Sequence, residues 1–80
     1  MFQETELVAL LIDLPNEQLH RGDVGTVAFV YDGGGLYEVE FVNAAGDTLA
    51  VVTLEEATIY AVQPQNAILH VTDLPVQNAA

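Results

Sequence analysis

The sequence predicts a mainly β domain, a small five-stranded barrel carrying a strand-like C-terminal extension. Three observations point there. Arg21-Gly22-Asp23-Val24-Gly25-Thr26-Val27-Ala28-Phe29-Val30-Tyr31 sets two glycines around a polar corner and follows them with a β-branched and aromatic run suited to a strand in a small barrel. Leu36-Tyr37-Glu38-Val39-Glu40-Phe41-Val42 alternates apolar and acidic residues with the period of two of a half-buried strand. The chain has 80 residues, 51% of them hydrophobic, and no cysteine. A single domain this small buries only about 60% of its unfolded surface, or slightly more, and here packing alone has to stabilise it.

In chain order, residues 6–14 (Glu-Leu-Val-Ala-Leu-Leu-Ile-Asp-Leu) are continuously apolar. Their shortness, between a flexible start and Pro15, argues for a strand over a helix. Asp13 and Asn16 are turn formers around that proline. Residues 16–20 form a connecting loop with room for one helical turn capped by Asn16, and Leu19 tucks inward. The second strand covers residues 24–31, and its lack of strict alternation suits a bent strand or one covered on both faces. Asp32-Gly33-Gly34-Gly35 closes it and opens a hairpin.

In the third strand Tyr37, Val39 and Phe41 point to the core, whereas Glu38 and Glu40 meet water. Asn43-Ala44-Ala45-Gly46-Asp47 turns the chain into a fourth strand, residues 48–54, so that three strands pair as an antiparallel meander. Residues 55–58 make one turn of tight helix, and residues 59–62 supply a short last strand that ends before Pro64. The expected core is Val8, Leu10, Val27, Phe29, Val39, Phe41, Val51 and Ile59. Beyond Pro64 the run Ala67-Ile68-Leu69-His70-Val71 is apolar enough to need covering. It is expected to add a strand to its own barrel or to pair with a second copy in a homodimer. The domain thus spans 1–80, with the barrel at 6–63 and an extension or tail at 64–80.

Charge limits the partners. Twelve acids stand against one base, Arg21, for a net charge of −11. Such a field repels phosphate backbones, so no nucleic acid is expected as a partner. The acids either keep a hydrophobic small protein in solution or attract a basic one, and composition leaves both readings open. The start, Met1-Phe2-Gln3-Glu4-Thr5-Glu6, lacks the positive region of a signal peptide, and no apolar run approaches the roughly 18 residues of a membrane span. The expectation is a cytoplasmic protein with no membrane partner.

Candidates for chemistry are few. The chain has no serine, cysteine or lysine, which removes most nucleophiles, and its threonines fit strand propensity. His20 with Asp23 and a neighbouring carboxylate matches no metal-ligand spacing, so His20 reads as a loop residue and His70 as an edge-strand residue. Gly33-Gly34-Gly35 leads into a strand, whereas phosphate cradles lead into a helix, so it reads as a hairpin tip. Arg21 is expected to pair with Asp23 or another carboxylate and pin its loop. No enzyme activity, metal or cofactor is expected. Asp32, Glu38, Glu40, Asp47, Glu55 and Glu56, on strand faces and turns, are the candidate partner-binding residues, forming a negative surface for a basic protein.

The succession of strand, long loop, three-strand meander, tight helical turn and strand resembles an SH3-like barrel. The corner Gly22-Asp23-Val24-Gly25-Thr26-Val27 looks like the start of the second strand in such barrels, including ribosomal and transcription-factor modules of the KOW type. A broader resemblance, from about residue 6 to residue 64, is to a small bacterial family, domain of unknown function 4926. It rests on the apolar strand ending Asp13-Leu14-Pro15, on Arg21-Gly22-Asp23-Val24-Gly25-Thr26-Val27, on Tyr37-Glu38-Val39-Glu40-Phe41, and on Gly46-Asp47-Thr48-Leu49-Ala50-Val51-Val52-Thr53-Leu54. The resemblance implies an SH3-like fold and no established activity. Its members look like the acidic half of gene pairs whose other half resembles a small RNase-type toxin. The functional expectation is therefore an antitoxin- or immunity-type inhibitor of a basic RNase-like partner. The alternative is a self-associating structural or accessory module of a larger complex.

Overall fold

The computed structural model describes residues 1–71 and 74–77. Five strands, β1 (Leu7–Leu10), β2 (Val24–Val30), β3 (Leu36–Val42), β4 (Thr48–Glu55) and β5 (Ile59–Ala61), form one antiparallel sheet in the order β4-β3-β2-β1-β5. The expected succession of elements is present, including the tight turn Glu56–Thr58 between β4 and β5. The sheet stays open, with β4 and β5 as its two edges. Short 3-10 turns also occur at Pro15–Glu17 and Pro64–Asn66, where proline fixes the backbone angle of the first helical residue. Leu14, not Asn16, occupies the cap position of the first of these turns.

One face of the sheet carries the core. Val8 and Leu10 from β1, Val27 from β2, Tyr37, Val39 and Phe41 from β3, Leu54 from β4, Ile59 from β5 and Leu19 from the first long loop pack in a single cluster. The expected inward set of β3 is confirmed, and so is Leu19. Tyr37 is fully buried, and its hydroxyl accepts from the Phe2 backbone N–H (3.1 Å) and donates to Glu56 (2.6 Å). The Phe2 ring meets the Tyr37 ring edge-on at 5.5 Å. The first residues are therefore strapped across the core, where a flexible start was expected.

Two expected core residues face outward. Phe29 is 48% exposed and Val51 54% exposed. In β2 the pairing runs Val27↔Val39 and then Phe29↔Glu38, so Ala28 is an extra residue. Such a bulge reverses the in-out phase beyond it. Phe29 consequently shares the face of Glu38, and Val30, opposite Tyr37, turns inward. In β4 the run Ala50-Val51-Val52 carries no phase of its own. Pairing of Val39 with Val52 and of Tyr37 with Leu54 sends Val52 and Leu54 inward and Val51 out.

Gly25 holds β2 close to β3. A Cβ on it would lie 2.7 Å from Val39 Cγ1, 2.9 Å from the Glu40 carbonyl oxygen and 2.9 Å from Phe41 Cε1, so no larger residue fits without moving the neighbouring strand. The Gly22–Gly25 corner thus has a packing role as well as a turning one.

The expected strand at residues 67–71 does not form on the chain's own sheet; after the turn at Pro64–Asn66 these residues run exposed and without regular structure. β5 pairs with β1 on one side only, and residues 67–71 make no ladder with the free side of either edge strand. Positions 72, 73 and 78–80 of the expected extension lie outside the described residues.

Candidate functional site: the outer face of β2, β3 and β4

The outer face of the meander is built in cross-strand rows. Phe29, Glu38 and Thr53 sit side by side, as do Thr26, Glu40 and Val51, and Leu36 stands opposite Glu55. Period-two geometry then puts Glu38, Glu40 and Glu55 on the same face. Each of the first two is oriented by a threonine on β4: the Thr53 hydroxyl donates to Glu38 and the Thr48 hydroxyl to Glu40. These bonds aim the carboxylates along the sheet surface and restrict their rotamers. Between them lie exposed carbon surfaces. The Phe29 and Tyr31 rings pack edge-on at 5.1 Å, and Val51 lies beside Glu40.

Of the six sequence-selected acids, the fold gathers Glu38, Glu40 and Glu55. Asp32 lies in the β2–β3 turn and Asp47 in the β3–β4 turn, at opposite ends of β3. Asp47 is held locally by Asn43, whose Oδ1 accepts the Asp47 backbone N–H at 2.9 Å. Glu56 faces the strap at the N-terminus. One of its carboxylate oxygens accepts from Tyr37, and the other lies 3.3 Å from the Met1 ammonium. Its carboxyl is held below the ordinary glutamate range, first by the Tyr37 hydroxyl, against partial desolvation, with the Met1 ammonium helping. Glu56 is thus a structural tie.

Arg21 does pin its loop, but through a different partner than expected. Its guanidinium donates to the Leu11 carbonyl (2.7 Å), while its backbone N–H donates to Asp13 Oδ1 (2.8 Å). Asp23 instead accepts the His20 backbone N–H at 2.7 Å, with His20 Nδ1 4.0 Å away. Among the described residues no group of three or more potential metal ligands comes together, and no helix is long and apolar enough to cross a membrane.

Sequence reasoning located the acids of this face but missed its aromatic part, because it placed Phe29 inside. The pairing of Phe29 with Tyr31 at i, i+2 was the available signal: two aromatic residues on one side of the chain where β2 ends.

The profile of one family, described as "Domain of unknown function (DUF4926)", matches residues 4–61. The chain belongs to that family. The DUF4926 region covers all five strands and stops before the turn at Pro64–Asn66, so residues 62–80 lie outside the shared pattern. No curated protein and no solved structure matches the chain.

Proposed function

We propose that this DUF4926 chain is a protein-binding module that receives a basic partner on the outer face of β2, β3 and β4. The observation that carries the reading is the alternation on that face of oriented carboxylates, Glu38 and Glu40, with exposed Phe29, Tyr31 and Val51. Interfaces favour such a surface: aromatic and aliphatic anchors contribute affinity, while the charged groups steer encounter and set register. The net charge of −11 adds a long-range attraction for a basic protein and repels nucleic acid. The lack of serine, cysteine and lysine supports binding over catalysis.

The partner class that fits is a small basic RNase-like protein in the bacterial cytoplasm. The family resemblance to acidic halves of gene pairs also favours it. A carboxylate face covering an RNA-binding surface competes by standing where phosphates would stand, in the manner of an antitoxin or immunity protein. The test is titration of the product of the adjacent gene against the wild-type chain and against Glu38→Lys/Glu40→Lys, at low and high salt. Binding that weakens steeply with salt and with the double reversal supports the reading. An acidic neighbour product, or binding indifferent to both changes, overturns it.

A further inference from the structure

A charge-free stripe crosses the same outer face at the other end. Tyr60 of β5 stands opposite Ala9 of β1, and Ala9 opposite Val24 of β2. Val24, Val42 of β3 and Leu49 of β4 then line a common groove of about 750 Å³. Each of the flanking residues Val8, Phe41 and Ile59 is buried, so Ala9, Val42 and Tyr60 are directed away from the core. Tyr60, Val24, Val42 and Leu49 are all exposed, and together they make a contiguous apolar band over five strands of the kind that marks an interaction site.

Residues 67–71 run beside this band without covering it. Ile68 borders both the 750 Å³ groove and an adjoining one of about 520 Å³ lined by Ala9, Val24 and Tyr60. The Ile68 and Leu69 side chains are nonetheless 84% and 102% exposed. From position 57 to position 72 the sequence holds no Asp, Glu, Lys or Arg, and its one imidazole, His70, stands in the arm itself and lines the groove. Asp23, at the margin of the groove, already accepts the His20 backbone N–H.

We infer that the band is a self-association surface: a second copy of the chain lays its residues 67–71 into the groove and receives the first copy's arm in return. The exposed apolar arm argues for a second copy as occupant, since each copy carries both the band and an uncovered Ile68-Leu69 pair, and electrostatics then decides how the two copies meet. Two chains of net charge −11 repel wherever their acidic surfaces meet, and contact through the band and the arm, which carry no Asp, Glu, Lys or Arg, keeps Glu38 and Glu55 of both copies apart. A basic partner gains nothing from charge at this band. Because one patch contains both the groove and the segment that fills it, a twofold isologous contact satisfies both at once. This assignment stands apart from the acidic-face reading and involves other residues.

Sedimentation of the full chain over a concentration series, at about 0.05 M and about 1 M salt, tests it. The expected mass rises from 8.6 kDa toward twice that value, at lower concentration in the higher salt, since screening shortens the repulsion between copies. That salt dependence is opposite in sign to the one expected for a basic partner, so the two proposals fail separately. Ile68→Asp/Leu69→Asp should abolish the dimer and leave the monomer's melting temperature unchanged, because both side chains are exposed. Leu49→Asp on the receiving side should do the same, while Glu38→Lys/Glu40→Lys should leave the dimer in place. A chain that stays monomeric throughout the series in high salt overturns the inference, as does a dimer unaffected by the arm substitutions.

Discussion

Replacing Gly25 with alanine adds one methyl group where β2 passes closest to β3. The new carbon would stand 2.7 Å from Val39 Cγ1 and 2.9 Å from both the Glu40 carbonyl oxygen and Phe41 Cε1. Ordinary contacts of that kind are roughly 3.5–4.0 Å. Three neighbours must therefore retreat by about half an ångström or more, and one of them is backbone in the central ladder. Overpacking of this kind costs about 1–3 kcal/mol. The reduced freedom of the unfolded chain returns about 0.4–1 kcal/mol, which leaves a net loss of about 1–2 kcal/mol. For a domain of this size that is a fall in melting temperature of about 4–16 °C, and a substantial part of a total stability of about 4–12 kcal/mol. Urea titration with an unchanged slope measures it directly. A fitting control is Gly46→Ala, where nothing lies within 4 Å but φ is +88°; it should cost about 1 kcal/mol through the left-handed backbone alone. A Gly25→Ala loss under about 0.5 kcal/mol would refute the close approach of the two strands.

Phe41→Ala removes a buried ring from the middle of β3 and should cost about 3–5 kcal/mol in denaturant titration; a loss below about 1 kcal/mol would place the ring outside the core. Val51→Thr, on the outer face, should change stability by no more than about 0.5 kcal/mol, and a loss of core size would mean that β4 is paired one residue out of register. The Tyr37 hydroxyl bonds the ionised Glu56 carboxylate and lowers its pKa on folding, so the unfolded chain binds this proton more tightly. The stabilisation is accordingly present above the unfolded pKa and is lost as pH falls through the lower, folded one. The melting-temperature gap between wild type and Tyr37→Phe should therefore narrow between about pH 7 and about pH 3. A gap of the same size at both ends would show that the bond does not favour the charged form.

Much of this fold is legible in local pattern. The strict alternation of residues 37–41 dictates which side of β3 is buried, because a period of two admits only one arrangement with three apolar residues together and two glutamates apart from them. Glycines and prolines mark the turns for the same kind of local reason: Gly46 takes a positive φ, and Pro15 and Pro64 open helical turns. The acids of the candidate site follow directly, since Glu38 and Glu40 inherit their face from Tyr37, Val39 and Phe41.

Tertiary structure decided everything that depends on register. Val27-Ala28-Phe29-Val30 and Ala50-Val51-Val52 carry no in-out phase of their own, and only pairing with β3, with an extra residue at Ala28, turned Phe29 and Val51 to the surface. Long-range pairing likewise chose the partner of Glu56, which lies 19 residues from Tyr37, and thereby removed it from the acidic face. The C-terminal segment shows the same division. Its composition alone says that residues 67–71 need covering, but whether they join an edge strand depends on where the chain is led after β5, and beyond the turn at Pro64–Asn66 they lie exposed beside the apolar band, paired with neither edge. A sequence specifies local geometry through each residue's own sterics, whereas a face or a partner is a property of two segments at once, settled only when the strands meet.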